Sequence, residues 1–247
     1  MEAAVVVSTN LSYVLFALLP PILWLMFYLR EDGHPEPKKL LILVFVGGMA
    51  SAILALVGEC AWVALATGSC RGGLDANLSP LVLFGVIALI EEYVKYLPVK
   101  FLVLKKKDFD EPIDGMIYMM TAAMGFAALE NILFLFPIFR SNALLGMEIA
   151  TNRFLGANLL HALSSGLVGF FLARAFFHPR RHHFVALGII IASILHTIFN
   201  YLILIRGIIP QGTFYLILLL STMAVMVLID FERLKKTREV VGPVDPV

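Results

Sequence analysis

The chain has 247 residues, of which 60% are hydrophobic and only 15% charged, and its mean hydropathy is +0.90. Soluble domains are nearer 45–50% apolar and about 25% charged, so the composition excludes an ordinary soluble enzyme and points to an all-α, polytopic membrane bundle. A net charge of +1 leaves no electrostatic basis for a nucleic-acid partner.

The N-terminal MEAAVVVSTN has no Lys or Arg. It lacks the basic region of a cleaved signal peptide, so the first span reads as a permanent anchor. A span needs about 20 apolar residues, and seven stretches qualify: 9–29, 40–66, 80–104, 115–138, 154–177, 184–206 and 213–230. Pro20, Pro21 and Pro98 fall inside spans, where they should bend the helix. Asp114 stands where an N-cap for the fourth span belongs. Cys60 and Cys70 allow at most one bridge, not a disulfide framework. The seven spans make one transmembrane domain, 1–230, with 231–247 as a cytoplasmic, disordered tail.

Basic residues set the orientation. Fourteen Lys and Arg fall at one set of span ends, from Arg30, Lys38 and Lys39 to Arg233 and Arg238, against four, Arg71, Arg140, Arg153 and Arg206, at the other. The bias places the N-terminus outside and the C-terminus in the cytoplasm, which an odd number of spans also requires.

The third span, PLVLFGVIALIEEYVKYLPVKFLVL, contains Glu91, Glu92 and Lys95. A charge at the bilayer centre costs about 2.5–3.5 kcal/mol on insertion scales, and each apolar residue returns only about 0.3–0.6. Such a span must turn its charges toward other helices. Those helices carry matching groups: Glu130 and Asn131 on the fourth span, Asn158 and His161 on the fifth, His196 and Asn200 on the sixth, and Glu59 on the second. At 1.5 Å per residue, Glu92 lies roughly 18 Å, Glu130 roughly 12 Å, His161 roughly 11 Å and His196 roughly 15 Å from the outer boundary. Four spans therefore place ionisable groups in one layer of the outer half. Small residues nearby, among them Gly125, Ser164, Ser165 and Gly166, let helices approach closely.

A layer of carboxylates and imidazoles suits hydrolysis. One glutamate can activate water, because burial and a like-charged neighbour favour a basic carboxylate. Lys95 keeps one of the pair ionised. His196 and Asn200, one turn apart, can donate to an oxyanion. His161, His196, Glu92 and Glu130 also form a donor set for Zn²⁺ or another divalent metal. The spacing is compatible with both a metal-free and a metal-bound centre. Neither HExxH nor GxSxG is present, which excludes a zincin helix and a serine nucleophile elbow.

EEYVK (Glu91 to Lys95), GFAALEN (with Phe126, Glu130 and Asn131), His161 with Gly169, and HTIFN (His196 to Asn200) resemble the PrsW-type intramembrane proteases. That family is similar to the wider CPBP group, with its CAAX prenyl endopeptidases and abortive-infection-type membrane proteases. The resemblance spans residues 80–205 and implies an endopeptidase of the cell membrane that cuts single-span substrates, such as a transmembrane anti-sigma factor, on their outer side. It implies water activation by Glu91 or Glu92 and oxyanion stabilisation by His196 and Asn200. The wider group has Arg four residues after its paired acids, where this chain has Lys95 three residues on. It has Phe-x-x-x-His on the next helix, where this chain has Glu130, and His161 on the fifth span is the expected source of the missing imidazole. The same acids would also serve a proton- or ion-coupled carrier or specify packing in a non-catalytic scaffold. Inverted repeats, expected of a carrier, are absent from the sequence.

Overall fold

The computed structural model describes residues 2–70, 79–175 and 181–241. Eight helices follow one another: α1 (Glu2–Tyr28), α2 (Lys38–Thr67), α3 (Pro80–Leu102), α4 (Asp114–Ser141), α5 (Ala143–Leu155), α6 (Ala157–Ala175), α7 (Arg181–Ile205) and α8 (Gly212–Val241). Among the described residues, six stretches are able by length and composition to cross a membrane: Tyr13–Glu31, Lys38–Thr67, Asp114–Ser141, Ala143–Ala175, His182–Ile205 and Gly212–Lys236. Helix α3 has 23 residues and is set apart from these by its charges, Glu91, Glu92 and Lys95, all of which are buried.

Helix α4 is the hub and packs on α1, α2, α3, α5 and α6. Every residue from Asp114 to Ala128 is buried, which the run of Gly, Ala, Thr and unbranched Met permits. A Cβ on Gly48 of α2 would strike the Ala122 carbonyl, and one on Gly125 of α4 would strike the Phe45 carbonyl. The two backbones therefore touch, as small residues allow between membrane helices. Gly115 and Gly169 bring α4 and α6 together in the same way.

Three expectations change. Residues 139–153 were expected to lie between spans, yet Asn142 caps a helix there by accepting from the Leu145 N–H at 3.1 Å. Helices α5 and α6 form one stretch, Ala143–Ala175, broken at Gly156, so α6 begins within the bundle. The expected disordered tail is helical as far as Val241, because Phe231 and Leu234 are buried and Lys235 pairs with Glu31 at 2.7 Å; residues 242–247 lie outside the described part. Asp114 is no N-cap. Its carboxylate accepts instead from the Asp110 and Glu111 N–H groups, at 2.9 and 2.8 Å, and so closes the preceding turn.

Gly68 ends α2 in a left-handed conformation, φ 81°, and the turn brings Cys70 back to a disulfide with Cys60. This bridge lies at the opposite end of α2 from Lys38 and Lys39.

Candidate active site

The centre is built on one turn of α3. Residues three and four apart share a helix face, so Lys95 reaches both acids, with Nζ 2.9 Å from Glu92 Oε1 and 3.3 Å from Glu91 Oε2. The ammonium also lies 4.4 Å from the centre of the Phe126 ring, a favourable cation–π placement.

The two glutamates have different surroundings. Glu92 is fully buried. Its Oε1 takes Lys95, His196 Nδ1 at 3.0 Å and Ser164 Oγ at 3.0 Å, while Oε2 takes Ser165 Oγ at 3.2 Å. Four donors from α3, α6 and α7 saturate it, and it helps to hold those helices together. Glu91 instead lines a groove of about 260 Å³ between α2 and α4, together with Glu59, Phe126 and Glu130.

Both histidines point one nitrogen at Glu91. His161 Nδ1 lies 3.9 Å and His196 Nε2 3.8 Å from Glu91 Oε2. The other nitrogen of each ring meets a carboxylate: His161 Nε2 donates to Glu130 Oε2 at 2.7 Å, and His196 Nδ1 donates to Glu92 Oε1 at 3.0 Å. That tautomer leaves a lone pair on each nitrogen facing Glu91. On His161 the lone pair accepts from Lys95 at 2.8 Å.

Of the expected residues, Glu91, Glu92, Glu130, His161, His196 and Lys95 converge, and Phe126 packs against His161 at 5.5 Å between ring centres. Asn200 does not join them: it is half-buried and makes no hydrogen bond to a described residue. It lies about 6 Å farther along α7 than His196, beyond the reacting layer. Asn131 and Asn158 form a supporting link, Asn131 Nδ2 donating to Asn158 Oδ1 and to the Ala17 carbonyl, each at 3.0 Å. Sequence reasoning missed Arg153, which counted as an outer loop charge. Its guanidinium pairs with Glu130 at 3.1 Å and donates through Nε to Asn131 Oδ1 at 2.7 Å. The available signal was an arginine at the entry to the fifth span, three residues before the helix-breaking Gly156.

The donors themselves test whether a metal fits. Glu91, His161 and His196 are buried, and one ligand atom from each lies within 4.8 Å of the others. Two imidazoles and a carboxylate are a set that catalytic zinc sites use, with a fourth position left open. A carboxylate behind each imidazole is the usual outer support. Of the expected metal ligands His161, His196, Glu92 and Glu130, the two acids stand behind the imidazoles, and Glu91, which was not among them, would complete the donor set.

The sequence profile of the PrsW family intramembrane metalloproteases matches residues 36–229. The chain belongs to the PrsW protease family. It is 31% identical to the Protease PrsW of Geobacillus kaustophilus over 180 residues, 72% of this chain and 73% of that protein. Against the Protease PrsW of Clostridioides difficile the identity is 26%, over 92% of each chain. For that of Oceanobacillus iheyensis it is 28%, over 92% of this chain and 96% of the relative. No solved structure matches. The chain is thus a multi-pass membrane protease of the PrsW family, and the glutamates and histidines described above lie inside the matched region.

Proposed function

We infer that this PrsW-family chain is a metal-dependent endopeptidase that cuts single-span membrane proteins, with Glu91, His161 and His196 holding a divalent ion such as Zn²⁺. One observation carries this reading: each histidine is backed by a carboxylate on one nitrogen and turns the other toward Glu91. When bound, the ion supplies Lewis acidity for the scissile carbonyl and makes water easier to deprotonate.

The remaining work falls to the protein. Glu130 keeps about a third of its side chain open, at 34%, and lines the groove. Its Oε2 is tied to His161 and Arg153, and it is the groove carboxylate positioned to take the proton of the attacking water and pass it to the leaving amine. Addition of the water oxygen to the carbonyl carbon gives a tetrahedral centre, whose collapse breaks the C–N bond, and the amine leaves neutral with the proton that Glu130 passes on. Lys95 offsets negative charge on the tetrahedral oxygen. An ion held by His161 would take the lone pair that Lys95 now occupies and leave the ammonium to Glu91 and Glu92.

A second reading is favoured by the position of Lys95. Its ammonium already lies among Glu91, Glu92 and His161, where it supplies a cation to a metal-free centre in which Glu91 activates water directly. Metal analysis of purified protein, with peptidase assays before and after chelation, separates the two. The metal reading predicts about one ion per chain and activity restored by Zn²⁺. Full activity in demonstrably metal-free protein rejects it.

The Cys60–Cys70 disulfide supports placing that end of the bundle outside, since disulfides persist in oxidising compartments. The surplus of basic residues lies at the other end. Cleavage then falls in the outer half of the bilayer, consistent with a transmembrane anti-sigma factor as substrate. Release of such a factor's outer domain by the reconstituted enzyme is the test.

A further inference from the structure

The groove between α2 and α4 opens sideways. Its floor is buried, with Ala52, Ala55 and Phe126 beside Glu91, whereas Leu56, Leu133 and Phe134 at its rim are exposed. An exposed apolar rim on two membrane-crossing helices faces lipid, so an occupant reaches Glu91 from within the bilayer. Glu59 stands in the same wall, half-buried and about 12 Å from the Thr67 end of α2. Lys95 is committed to Glu91 and Glu92, and Arg153 to Glu130 and Asn131. Glu59 forms no hydrogen bond or ion pair with any described residue. An acid at this depth is costly without a positive partner, and the groove leaves room for one to be brought in.

We propose that the α2–α4 groove is the lateral entrance and binding site for an apolar substrate segment, and that Glu59 holds a Lys or Arg of that segment. A long basic side chain suits this place, because its stem packs on apolar residues while its head reaches the carboxylate. Glu59 thereby becomes a specificity-determining residue. The proposal rests on the hydrolytic reading above, but its first test needs no cleavage.

That test uses the full-length chain in liposomes carrying the inactive Glu91→Gln substitution, with a single-span peptide bearing one Lys at its outer flank. A photoreactive phenylalanine analogue is placed either at Leu56, on the groove rim, or at Ile53, exposed on the same helix outside the groove. Crosslinking to the peptide is expected at Leu56 and not at Ile53. Equal crosslinking at both positions, or none at Leu56, overturns the entrance whatever the chemistry of the centre. The second arm measures kinetics in the otherwise wild-type chain. Replacing the peptide's Lys by Glu should raise KM about 10-fold with little change in kcat, equivalent to about 1.4 kcal/mol, and Glu59→Lys should reverse the preference. An unchanged preference in Glu59→Lys overturns the role of Glu59, whereas loss of turnover with normal crosslinking indicts the catalytic reading instead.

Discussion

His161 and Glu130 are joined Nε2 to Oε2 at 2.7 Å across the contact between α6 and α4. This contact decides which nitrogen of His161 faces Glu91. Arg153, from α5, holds the same carboxylate oxygen at 3.1 Å, so three helices fix one ring.

Removing the charge of Glu130 should therefore weaken the centre without removing a ligand. Glu130→Gln is expected to lower metal affinity about 10–100-fold and to abolish peptide hydrolysis. Titration against a chromophoric chelator reads the first effect independently of the second. Unchanged affinity would place Glu130 outside the support of the metal.

The adjacent acids should behave differently. Glu92→Gln leaves Lys95 with a weakened buried partner and disturbs four donors, so thermal stability in detergent should fall by up to about 3–5 kcal/mol. Glu91→Gln keeps the groove-facing shape and should melt near the wild-type temperature, yet lose activity at least about 100-fold. Equal stability losses in the two variants would contradict the assignment of a structural role to Glu92.

The crossing of α2 and α4 has no space for a side chain. Gly125→Val should force Phe45 and its helix outward, at a cost of about 1–3 kcal/mol or more. The groove lies next to this crossing, so altered substrate crosslinking should accompany the lower melting temperature. A wild-type melting curve would show that the helices are farther apart than described.

Stability should also depend on pH through Glu36, in the loop between α1 and α2. Burial, the leading cause, pushes its carboxyl above the ordinary 4.5, and the Tyr118 hydroxyl donates to it. The folded state thus retains this proton when the unfolded chain has lost it. Stability from this group is full below about the unfolded value and declines as pH rises through the folded one. Glu36→Gln, which keeps an acceptor for Tyr118, should flatten the fall in melting temperature above that range. An identical pH profile in wild type and variant would remove Glu36 as its source.

Much of the site was legible because charges inside a membrane are rare and helix rise converts sequence position to depth. Glu91, Glu92, Glu130, His161 and His196 could be assigned to one layer without knowing which helices touch. Depth says nothing about rotation or neighbours. Glu91 and Glu92 differ by about 100° around α3, and only packing against α6 and α7 shows that Glu92 is enclosed while Glu91 meets the groove. Asn200 shares a face with His196, but one turn of rise carries it past the centre. Arg153 escaped notice because a count of basic loop residues treats every arginine outside a span as solvated.

The amino-acid sequence by itself determined that this is a helical membrane protein, the direction in which basic residues bias its spans, and the ionisable layer of a PrsW-family protease. These follow from composition, helical periodicity and the high cost of burying charge, all of which act locally along the chain. Tertiary structure alone decided which nitrogen of each histidine turns inward, which glutamate faces the groove, and that Arg153 pairs with Glu130 beside the site. Those depend on helix rotation and close backbone approach at Gly48, Gly125 and Gly169, set by the packing of whole faces rather than by any one segment.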